Sequence, residues 1–252
     1  MADVVVWVAH ADDESATHGG AVATHLQAGD RVVVALCTDG GGTRVAPRTL
    51  NGEAPCGWHG YVHDPAAEGY APLDRASLVE RRDEEFRAAC RAVGVPAGDV
   101  VIARQGRPDR PRDGGLGVEE ADALMDEVLR GLDLGPRPGA ATGPEADVPP
   151  RHLTHTDLDG HPDHAALGTA LRRRVARGHV VDAGWYVKAV EAATHPRPWV
   201  AQVPPDPAPV RAALDVYLTF DPPDRLGVGG HSALVGLRAA RAEVVGRLEV
   251  PA

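Results

Sequence analysis

Apolar positions along the chain form short continuous runs, separated by longer stretches in which apolar and polar residues alternate at helical spacing. Residues 4–8 and 31–37 are runs of this kind, rich in valine, and such runs are typical of strands buried on both faces of a parallel sheet. Between them, residues 15–28 carry Ala, Val and Leu at helical spacing and stop at Gly29, a residue type that commonly ends helices. This order predicts a βαβ unit with a right-handed crossover.

The same alternation continues along the rest of the chain. It predicts further strands at 99–103 and 151–155 and within 180–190, and helices at 76–93, 118–132, 162–177, 208–218 and 231–247. No internal repeat is visible. We therefore expect one α/β domain over residues 1–252, a Rossmann-like three-layer sandwich with a mostly parallel central sheet.

Two segments interrupt the alternation. Residues 44–75 show no sustained period and are rich in Pro, Gly and aromatic residues. A loop this long within a domain is usually functional or mobile, so the segment is either a lid over a site or an ordered insertion. Residues 134–150 are rich in Pro and Gly, and we expect a surface loop there rather than a domain linker, because the alternation continues on both sides.

Composition excludes several classes of protein. Of the 252 residues, 43% are hydrophobic and 25% are charged, an ordinary globular balance. The net charge of −10 argues against nucleic acid or an anionic membrane as a partner. No apolar run approaches the roughly 20 residues that span a bilayer, and the first residues lack the pattern of a signal peptide. We expect a cytoplasmic enzyme.

Histidines are more informative than cysteines in this sequence. The three cysteines (Cys37, Cys56 and Cys90) are odd in number and widely spaced, which fits neither a disulfide framework nor a cysteine-based zinc site. Some of the twelve histidines stand in tight patterns with carboxylates. Of the others, six are expected at the surface or behind a metal ligand rather than as ligands: His18, His25, His59, His63, His155 and His231.

Two patterns of histidine and carboxylate follow predicted strands. The first strand leads into the sequence HADDE at residues 10–14, and the strand at 151–155 leads toward HPDH at residues 161–164. Because ligands bind at the carboxyl ends of the strands in open parallel sheets, the two patterns can converge on one metal ion. Either pattern alone is typical of an ordinary helix N-terminus, but the two together favour a metal site.

Imidazole and carboxylate without thiolate suit zinc, with iron(II), cobalt or manganese as alternatives. A catalytic zinc takes about three protein ligands and keeps one position open. A further carboxylate can then accept a proton from the attacking water, and a further histidine can stabilise or protonate the departing group. The two patterns together contain this set.

These residues resemble the motifs of a known family. Residues 8–14 (VAHADDE) are similar to the Ala-His-Pro-Asp-Asp-Glu motif of the PIG-L/LmbE-like N-acetylglucosaminyl deacetylases, and residues 161–164 match that family's second motif. Weaker similarity at 29–32, 38–40, 82–95 and 211–219 extends the resemblance to about residues 3–220. Ala11 stands where the family has proline, and Gly41 or Gly42 stands where it has glutamate.

The resemblance implies roles for the first motif. His10, Asp13 and His164 would hold one zinc ion per chain, or another divalent transition metal. Asp12 would be the general base that takes a proton from the attacking water. The role of Glu14 is left open.

The resemblance also implies roles outside the ligand set. His161 would stabilise the tetrahedral oxyanion and help to protonate the amine, with Asp163 as a neighbouring carboxylate that tunes it. Arg82 would contact hydroxyls or phosphates of the substrate. The alternative for Arg82 is a pairing with Glu85 or Glu80 on the surface of a helix.

The implied activity is hydrolysis of an N-acetyl amide on an amino sugar or glycoconjugate, releasing acetate and a free amine. The partner is then a small-molecule substrate, without nucleic acid or membrane, and a homo-oligomer is left open. Within the same chemistry, the alternative is an amidase for a larger acyl group or a thiol conjugate, or a deacetylase that tailors a glycosylated secondary metabolite. The aromatic residues of 44–75 favour a bulky substrate.

Three further classes are less consistent with the sequence. A metal-dependent phosphoesterase usually needs two metals and more bridging carboxylates. A dinucleotide-binding oxidoreductase would carry Gly-x-Gly-x-x-Gly after the first strand, where this chain has carboxylates. A non-catalytic binding protein has no need of a base and an acid beside the metal.

Overall fold

The computed structural model describes residues 2–132, 134 and 149–250. Within this part the strands are β1 (Asp3–Val8), β2 (Arg31–Leu36), β3 (Val100–Ile102), β4 (Arg151–His155), β5 (Asp182–Tyr186), β6 (Trp199–Gln202) and β7 (Gly246–Glu249). The helices are α1 (Asp13–Ala16), α2 (Gly19–Gln27), α3 (Val45–Leu50), α4 (Pro65–Glu68), α5 (Arg75–Val93), α6 (Val118–Gly131), α7 (Pro162–Ala176), α8 (Ala208–Tyr217) and α9 (Val228–Ala242). The predicted loop 134–150 lies outside the described residues, apart from residues 134, 149 and 150.

The described strands form one mixed sheet in the order β3-β2-β1-β4-β5-β7-β6. The pairs from β3 to β5 are parallel, and β1 pairs with β2 in register from Asp3 opposite Arg31 to Val8 opposite Leu36. β7 is antiparallel to both of its neighbours. The predicted α/β fold with a mostly parallel central sheet is confirmed.

Alternate residues of β1 point to opposite faces of the sheet, and both faces are covered by helices. Val4 and Val6 belong to a buried cluster that includes residues of α5 and α8. Val5 and Trp7 belong to a second buried cluster that includes residues of α6 and α7. Because side chains on a strand alternate with period two, burial on both faces requires the continuous apolar run seen in the sequence.

Two predicted helices differ from the structure. The segment 15–28 is broken, because α1 ends at Ala16 and α2 begins only at Gly19. The helix predicted over 231–247 is wrong beyond residue 242, where the chain leaves α9 and forms β7. β7 is held by hydrogen bonds to β5 and β6, and this pairing between distant segments overrides the local helical pattern.

The insertion at 44–75 is a packed segment with an apolar cluster of its own. Leu50, Tyr70 and Leu73 are buried against Leu78 of α5 and Val228 at the start of α9. These contacts agree with an ordered insertion. A closing motion of this segment over a site stays a prediction. Separately, no helix among the described residues is long and apolar enough to cross a membrane.

Candidate metal centre and catalytic site

The two predicted motifs meet at the carboxyl edge of the sheet, between the ends of the adjacent strands β1 and β4. His10 Nδ1 lies 3.0 Å from His164 Nε2, and His164 Nε2 lies 3.1 Å from Asp13 Oδ2. The third side of this triangle, from His10 Nδ1 to Asp13 Oδ2, is 3.6 Å. The structure therefore brings together the three side chains predicted as metal ligands.

These separations fit a tetrahedral metal ion. With metal–ligand distances of about 2.0–2.1 Å, neighbouring nitrogen and oxygen ligands of a tetrahedral zinc lie about 3.3–3.4 Å apart. The observed distances of 3.0, 3.1 and 3.6 Å bracket that value. The donor set of two imidazoles and one carboxylate is also one that catalytic zinc sites use.

Carboxylates lie behind both imidazole rings. His10 Nε2 lies 3.1 Å from Asp163 Oδ2 and 3.2 Å from Asp113 Oδ1. His164 Nδ1 lies 3.1 Å from Asp159 Oδ1. Because a carboxylate only accepts hydrogen bonds, the contact with Asp163 places the ring proton of His10 on Nε2 and leaves Nδ1 as a ligand atom. The negative charge of Asp159 beside His164 Nδ1 favours the same arrangement in the second ring.

Asp163 lies close to His161, as expected, but its carboxylate makes its hydrogen bonds to other groups. Its fully buried carboxylate contacts His10 and accepts hydrogen bonds from the backbone N–H groups of Gly114, at 2.7 Å, and Leu116, at 2.9 Å. The reason is helical geometry, because residues two apart at the start of a helix do not face each other. Asp113 is a second carboxylate near His161, with Oδ1 3.9 Å from Nε2.

Asp12 stands on a strained turn that two other side chains hold. Its φ of +109° is rare for a residue with a side chain, and such strain concentrates at functional sites. The backbone N–H of Asp12 donates to Glu14 Oε2 at 3.0 Å, and Glu14 Oε1 accepts from the hydroxyl of Tyr217 at 2.9 Å. Arg82 Nη2 lies 3.1 Å from Asp12 Oδ2 and donates to the carbonyl of Ala11. The role of Glu14 in the first motif is therefore structural, because its side chain holds the turn at Asp12.

Arg82 combines features of both sequence interpretations. It pairs with Glu85, Nη1 to Oε2 at 3.3 Å, as the surface alternative expects. However, it is buried rather than exposed, and its other terminal nitrogen is engaged by the Asp12 turn. Arg82 also borders the cavity described below. Its contact with a substrate stays a prediction.

The electrostatics of the cluster favour positive charge between the carboxylates. Burial opposes a charged imidazole at His10, but the hydrogen-bonded Asp113, Asp13 and Asp163 outweigh burial and raise the pKa of His10 well above its usual value. Burial also opposes the charge on His164, yet Asp13 raises its pKa to about 9. The second proton of each charged ring, on its inner nitrogen, occupies a place that a divalent cation can take.

The pKa values of the two neighbouring aspartates shift in opposite directions. Burial raises the pKa of Asp12, and the adjacent Arg82 opposes that shift. Burial alone would also raise the pKa of Asp13, but His164 and His10 hold it well below its usual value. Asp13 is therefore suited to remain ionised as a ligand, whereas Asp12 is the more basic of the two carboxylates.

Asp113 is a site residue that the sequence analysis missed. It lies in the loop after β3, where the backbone N–H of Gly42 donates to its Oδ2 at 3.1 Å. A Cβ at Gly42 would come within 2.7 Å of the Asp113 carboxyl carbon, so a side chain at position 42 would displace this carboxylate. The sequence held one indication of it. Asp113 lies in a loop that follows the carboxyl end of a third predicted strand, at the same edge of the sheet.

His155 was expected at the surface or behind a ligand, and it is fully buried behind Asp13. Its Nε2 lies 3.3 Å from Asp13 Oδ1, and its ring centroid lies 3.8 Å from that of His164. Asp13, His155 and His164 therefore form a second donor set that overlaps the first. Neither ring nitrogen of His155 has a hydrogen-bond partner within the described part of the chain.

An open cavity borders the cluster. The His161 side chain is 35% exposed there, whereas the His155 side chain is not exposed at all. The cavity is lined by His10, Asp12, Gly40, Gly42, Thr43, Arg82, Asp113, His161, Ser232 and Ala233. A small molecule in this cavity would therefore reach Asp12 and His161 beside the predicted ligand His10.

Comparison with known proteins agrees with the two motifs. Residues 5–175, which include both motifs, match the PIG-L family, described as GlcNAc-PI de-N-acetylase. The chain is 33% identical over 187 residues to 1D-myo-inositol 2-acetamido-2-deoxy-alpha-D-glucopyranoside deacetylase of Tsukamurella paurometabola, with 66% of this chain and 52% of that protein covered. The chain therefore spans about half the length of this curated relative.

Solved structures share the fold at low sequence identity. N,N'-diacetylchitobiose deacetylase from Pyrococcus horikoshii has a TM-score of 0.54 at 15% identity, covering 94% of this chain and 76% of that chain. The 4-carboxy-2-hydroxymuconate hydratase GalB from Pseudomonas putida KT2440 has a TM-score of 0.54 at 17% identity, covering 100% and 98%. These similarities show the fold alone, and the fold carries more than one type of reaction.

Proposed function

Because the chain belongs to the PIG-L family of GlcNAc-PI de-N-acetylases, we propose that it hydrolyses the N-acetyl amide of an amino sugar or glycoconjugate and releases acetate and a free amine. The observation that carries this proposal is the convergence of His10, Asp13 and His164 beside Asp12 at the edge of a cavity. The curated relative is named for an acetamido sugar linked to inositol, which supports a substrate of the same class.

We assign His10 Nδ1, Asp13 Oδ2 and His164 Nε2 as the ligands of one zinc ion, with other divalent transition metals as alternatives. When bound there, zinc supplies Lewis-acid activation of the attacking water and of the amide carbonyl. The set that includes His155 is less suited to catalysis, because a catalytic metal needs an open position and His155 is completely enclosed.

Asp12 is the proposed general base. Its carboxylate borders the cavity, and burial raises its pKa toward the range in which a base works efficiently. Arg82 and Glu14 fix the turn from both sides, so the carboxylate is held in one orientation. Asp12 takes a proton from water as the water oxygen bonds to the acetyl carbon. When the C–N bond then breaks, this proton is available for the departing nitrogen, and the products are acetate and the free amine.

His161 is the proposed donor to the oxyanion. It is the N-cap of α7, and its Nδ1 accepts the backbone N–H of Asp163 at 3.3 Å. Burial, followed by the neighbouring His10, lowers the pKa of His161, which favours the neutral ring. With Nδ1 accepting, the neutral ring carries its proton on Nε2, which can donate to the developing oxyanion. Asp163 supports His10 and the 114–116 loop instead of reacting itself.

Replacement of the base tests this assignment. We expect Asp12→Asn to keep the fold and the metal content but to lower kcat for acetate release by about 10²–10⁴-fold, the usual contribution of a general base. The matched control is Asp182→Asn at the amino end of β5, away from the site, and it should retain the wild-type rate. An Asp12→Asn variant with wild-type kcat would show that Asp12 is not the base.

The size of the acyl group and of the glycan distinguishes the proposed deacetylase from the related amidases. Acetate release from N-acetylglucosamine conjugates of increasing size, compared with release of longer acyl chains from the same sugars, measures both preferences. We expect acetyl to be preferred over longer acyl groups. Preference for a longer acyl group or a thiol conjugate would favour the amidase alternative.

A further inference from the structure

A second cluster of metal-binding side chains lies within the insertion, apart from the catalytic residues. Cys56, His59 and His63 come from the insertion with the spacing Cys-x₂-His-x₃-His, and His231 comes from α9. Their four ligand atoms all lie within 4.8 Å of one another. Cys56, His63 and His231 are buried. We propose that these four side chains hold a second, structural zinc ion.

Three of the distances between ligand atoms are close to those of a tetrahedral zinc site. Cys56 Sγ lies 3.5 Å from His59 Nδ1, and His63 Nε2 lies 3.2 Å from His59 Nδ1 and 3.3 Å from His231 Nε2. With Zn–S at 2.3 Å and Zn–N at 2.0–2.1 Å, tetrahedral geometry gives about 3.6 Å between sulfur and nitrogen and about 3.3–3.4 Å between nitrogens. The three contacts follow this pattern.

The ring protons of two histidines point away from the centre of the cluster. His231 Nδ1 lies 2.8 Å from the carbonyl oxygen of Gly227, and His63 Nδ1 lies 3.0 Å from the carboxylate of Glu68. Both partners only accept, so both Nδ1 atoms must donate. In neutral rings the two Nε2 lone pairs then face each other at 3.3 Å, a repulsive arrangement that a shared cation removes.

Further groups suit a bound metal. The backbone N–H groups of Trp58 and His59 both lie 3.3 Å from Cys56 Sγ and donate to it, which stabilises a thiolate. A carboxylate behind one imidazole and a backbone carbonyl behind another are the supports that metal-bound histidines usually have. Four protein ligands close the coordination sphere, which is characteristic of a structural zinc rather than a catalytic one.

The position of the cluster indicates what it stabilises. Cys56, His59 and His63 belong to the insertion, whereas His231 directly precedes Ser232 and Ala233, which line the catalytic cavity. A metal here would therefore fix the insertion to the helix that forms one wall of that cavity. The proposal is independent of the proposed deacetylase activity, since it rests on none of the catalytic residues.

Cobalt substitution tests the proposal on the full chain. A thiolate ligand gives Co²⁺ an intense charge-transfer band in the near ultraviolet, whereas the nitrogen and oxygen donors of the catalytic cluster give none. We expect the band in the wild type and in His164→Ala, and its loss in Cys56→Ala. Cys90→Ala is the matched control because Cys90 is a free, buried cysteine of the main core, and it should keep the band.

Metal content separates the two sites. We expect two ions per chain in the wild type, and one in each of Cys56→Ala and His164→Ala. Loss of one ion in Cys56→Ala but none in His164→Ala would support the structural site and contradict the catalytic one. A wild-type cobalt protein without the charge-transfer band would overturn the structural site, and this measurement needs no variant to fold.

Discussion

At the scale of single residues, a buried histidine in the core illustrates how one proton couples to folding. Trp7 Nε1 donates to His152 Nδ1 at 3.1 Å between the neighbouring strands β1 and β4, and His152 is only 3% exposed. Burial, followed by the charge of Arg174, lowers the pKa of His152 to about 4. A proton on Nδ1 would set two N–H groups against each other, so the folded protein holds the neutral ring.

This shift predicts a loss of stability in mild acid. The ordinary pKa is 6.5, so between pH 6.5 and about 4 the unfolded chain binds more protons at His152 than the folded chain does. The free energy of unfolding therefore falls as the pH falls through this range, by about 1.4 kcal/mol per pH unit. The loss due to His152 is about 2 kcal/mol at pH 5. In His152→Gln the amide oxygen can still accept the hydrogen bond from Trp7, but the side chain does not titrate. Urea unfolding at pH 7 and pH 5 measures the free energy of unfolding, and we expect its loss between the two pH values to be about 2 kcal/mol smaller in this variant than in the wild type.

The control for this experiment is His179→Gln, because His179 is exposed in the turn after α7. It should lose the same free energy of unfolding between pH 7 and pH 5 as the wild type. Equal losses in His152→Gln and the wild type would refute the assignment of the buried neutral ring.

At the scale of elements, the close packing of α7 against the end of β4 positions His164. A Cβ at Gly168 would come within 2.4 Å of the Asp157 backbone nitrogen and 2.6 Å of the His155 carbonyl oxygen. Real side chains do not tolerate such distances, so glycine permits this approach. The same helix begins with the second motif, and the approach therefore sets the distance between His164 and the residues that follow β1.

We expect Gly168→Ala to displace α7, to lower the free energy of unfolding by about 1–3 kcal/mol and to weaken metal binding at the catalytic cluster. Gly236→Ala in α9 is the matched control, because among the described residues no atom outside its chain neighbours and its own helix backbone lies within 4 Å of its Cβ position. Removing a helical glycine there should raise stability by about 0.5–1 kcal/mol. Thermal unfolding and metal titration measure both effects, and a Gly168→Ala variant that matches the wild type in both would contradict this view of α7.

The sequence predicted elements well where their stability is local or their burial is two-sided. The strand at 151–155 and the helix at 76–93 agree with β4 and α5 to within a residue or two. The prediction failed at residues 246–249 and omitted 199–202, because those strands exist only through antiparallel pairing at one edge of the sheet. No local pattern encodes that pairing.

At the scale of the whole molecule, the site is assembled from segments that are distant in sequence. His10 and His164 were predictable because each follows one of two neighbouring parallel strands, and parallel strands bring their carboxyl ends to one edge of the sheet. Asp113 also follows a strand at this edge, but the contact with Gly42 that holds its carboxylate in place joins distant segments and has no counterpart in the sequence pattern. The cysteines were predicted to form no zinc site, and the cluster proposed here joins Cys56 to a histidine on α9 that no local spacing reveals.

We propose that the His10, Asp13 and His164 cluster makes this protein a metal-dependent deacetylase. The most direct measurement is acetate release from an N-acetylglucosaminyl inositol by the wild-type chain, before chelation, after removal of metal and after return of Zn²⁺, with metal content determined at each stage. We expect acetate and free amine in equal amounts, no release once the metal is removed, and recovery of the rate when zinc is returned. An undiminished rate in protein shown to be free of metal would contradict this proposal.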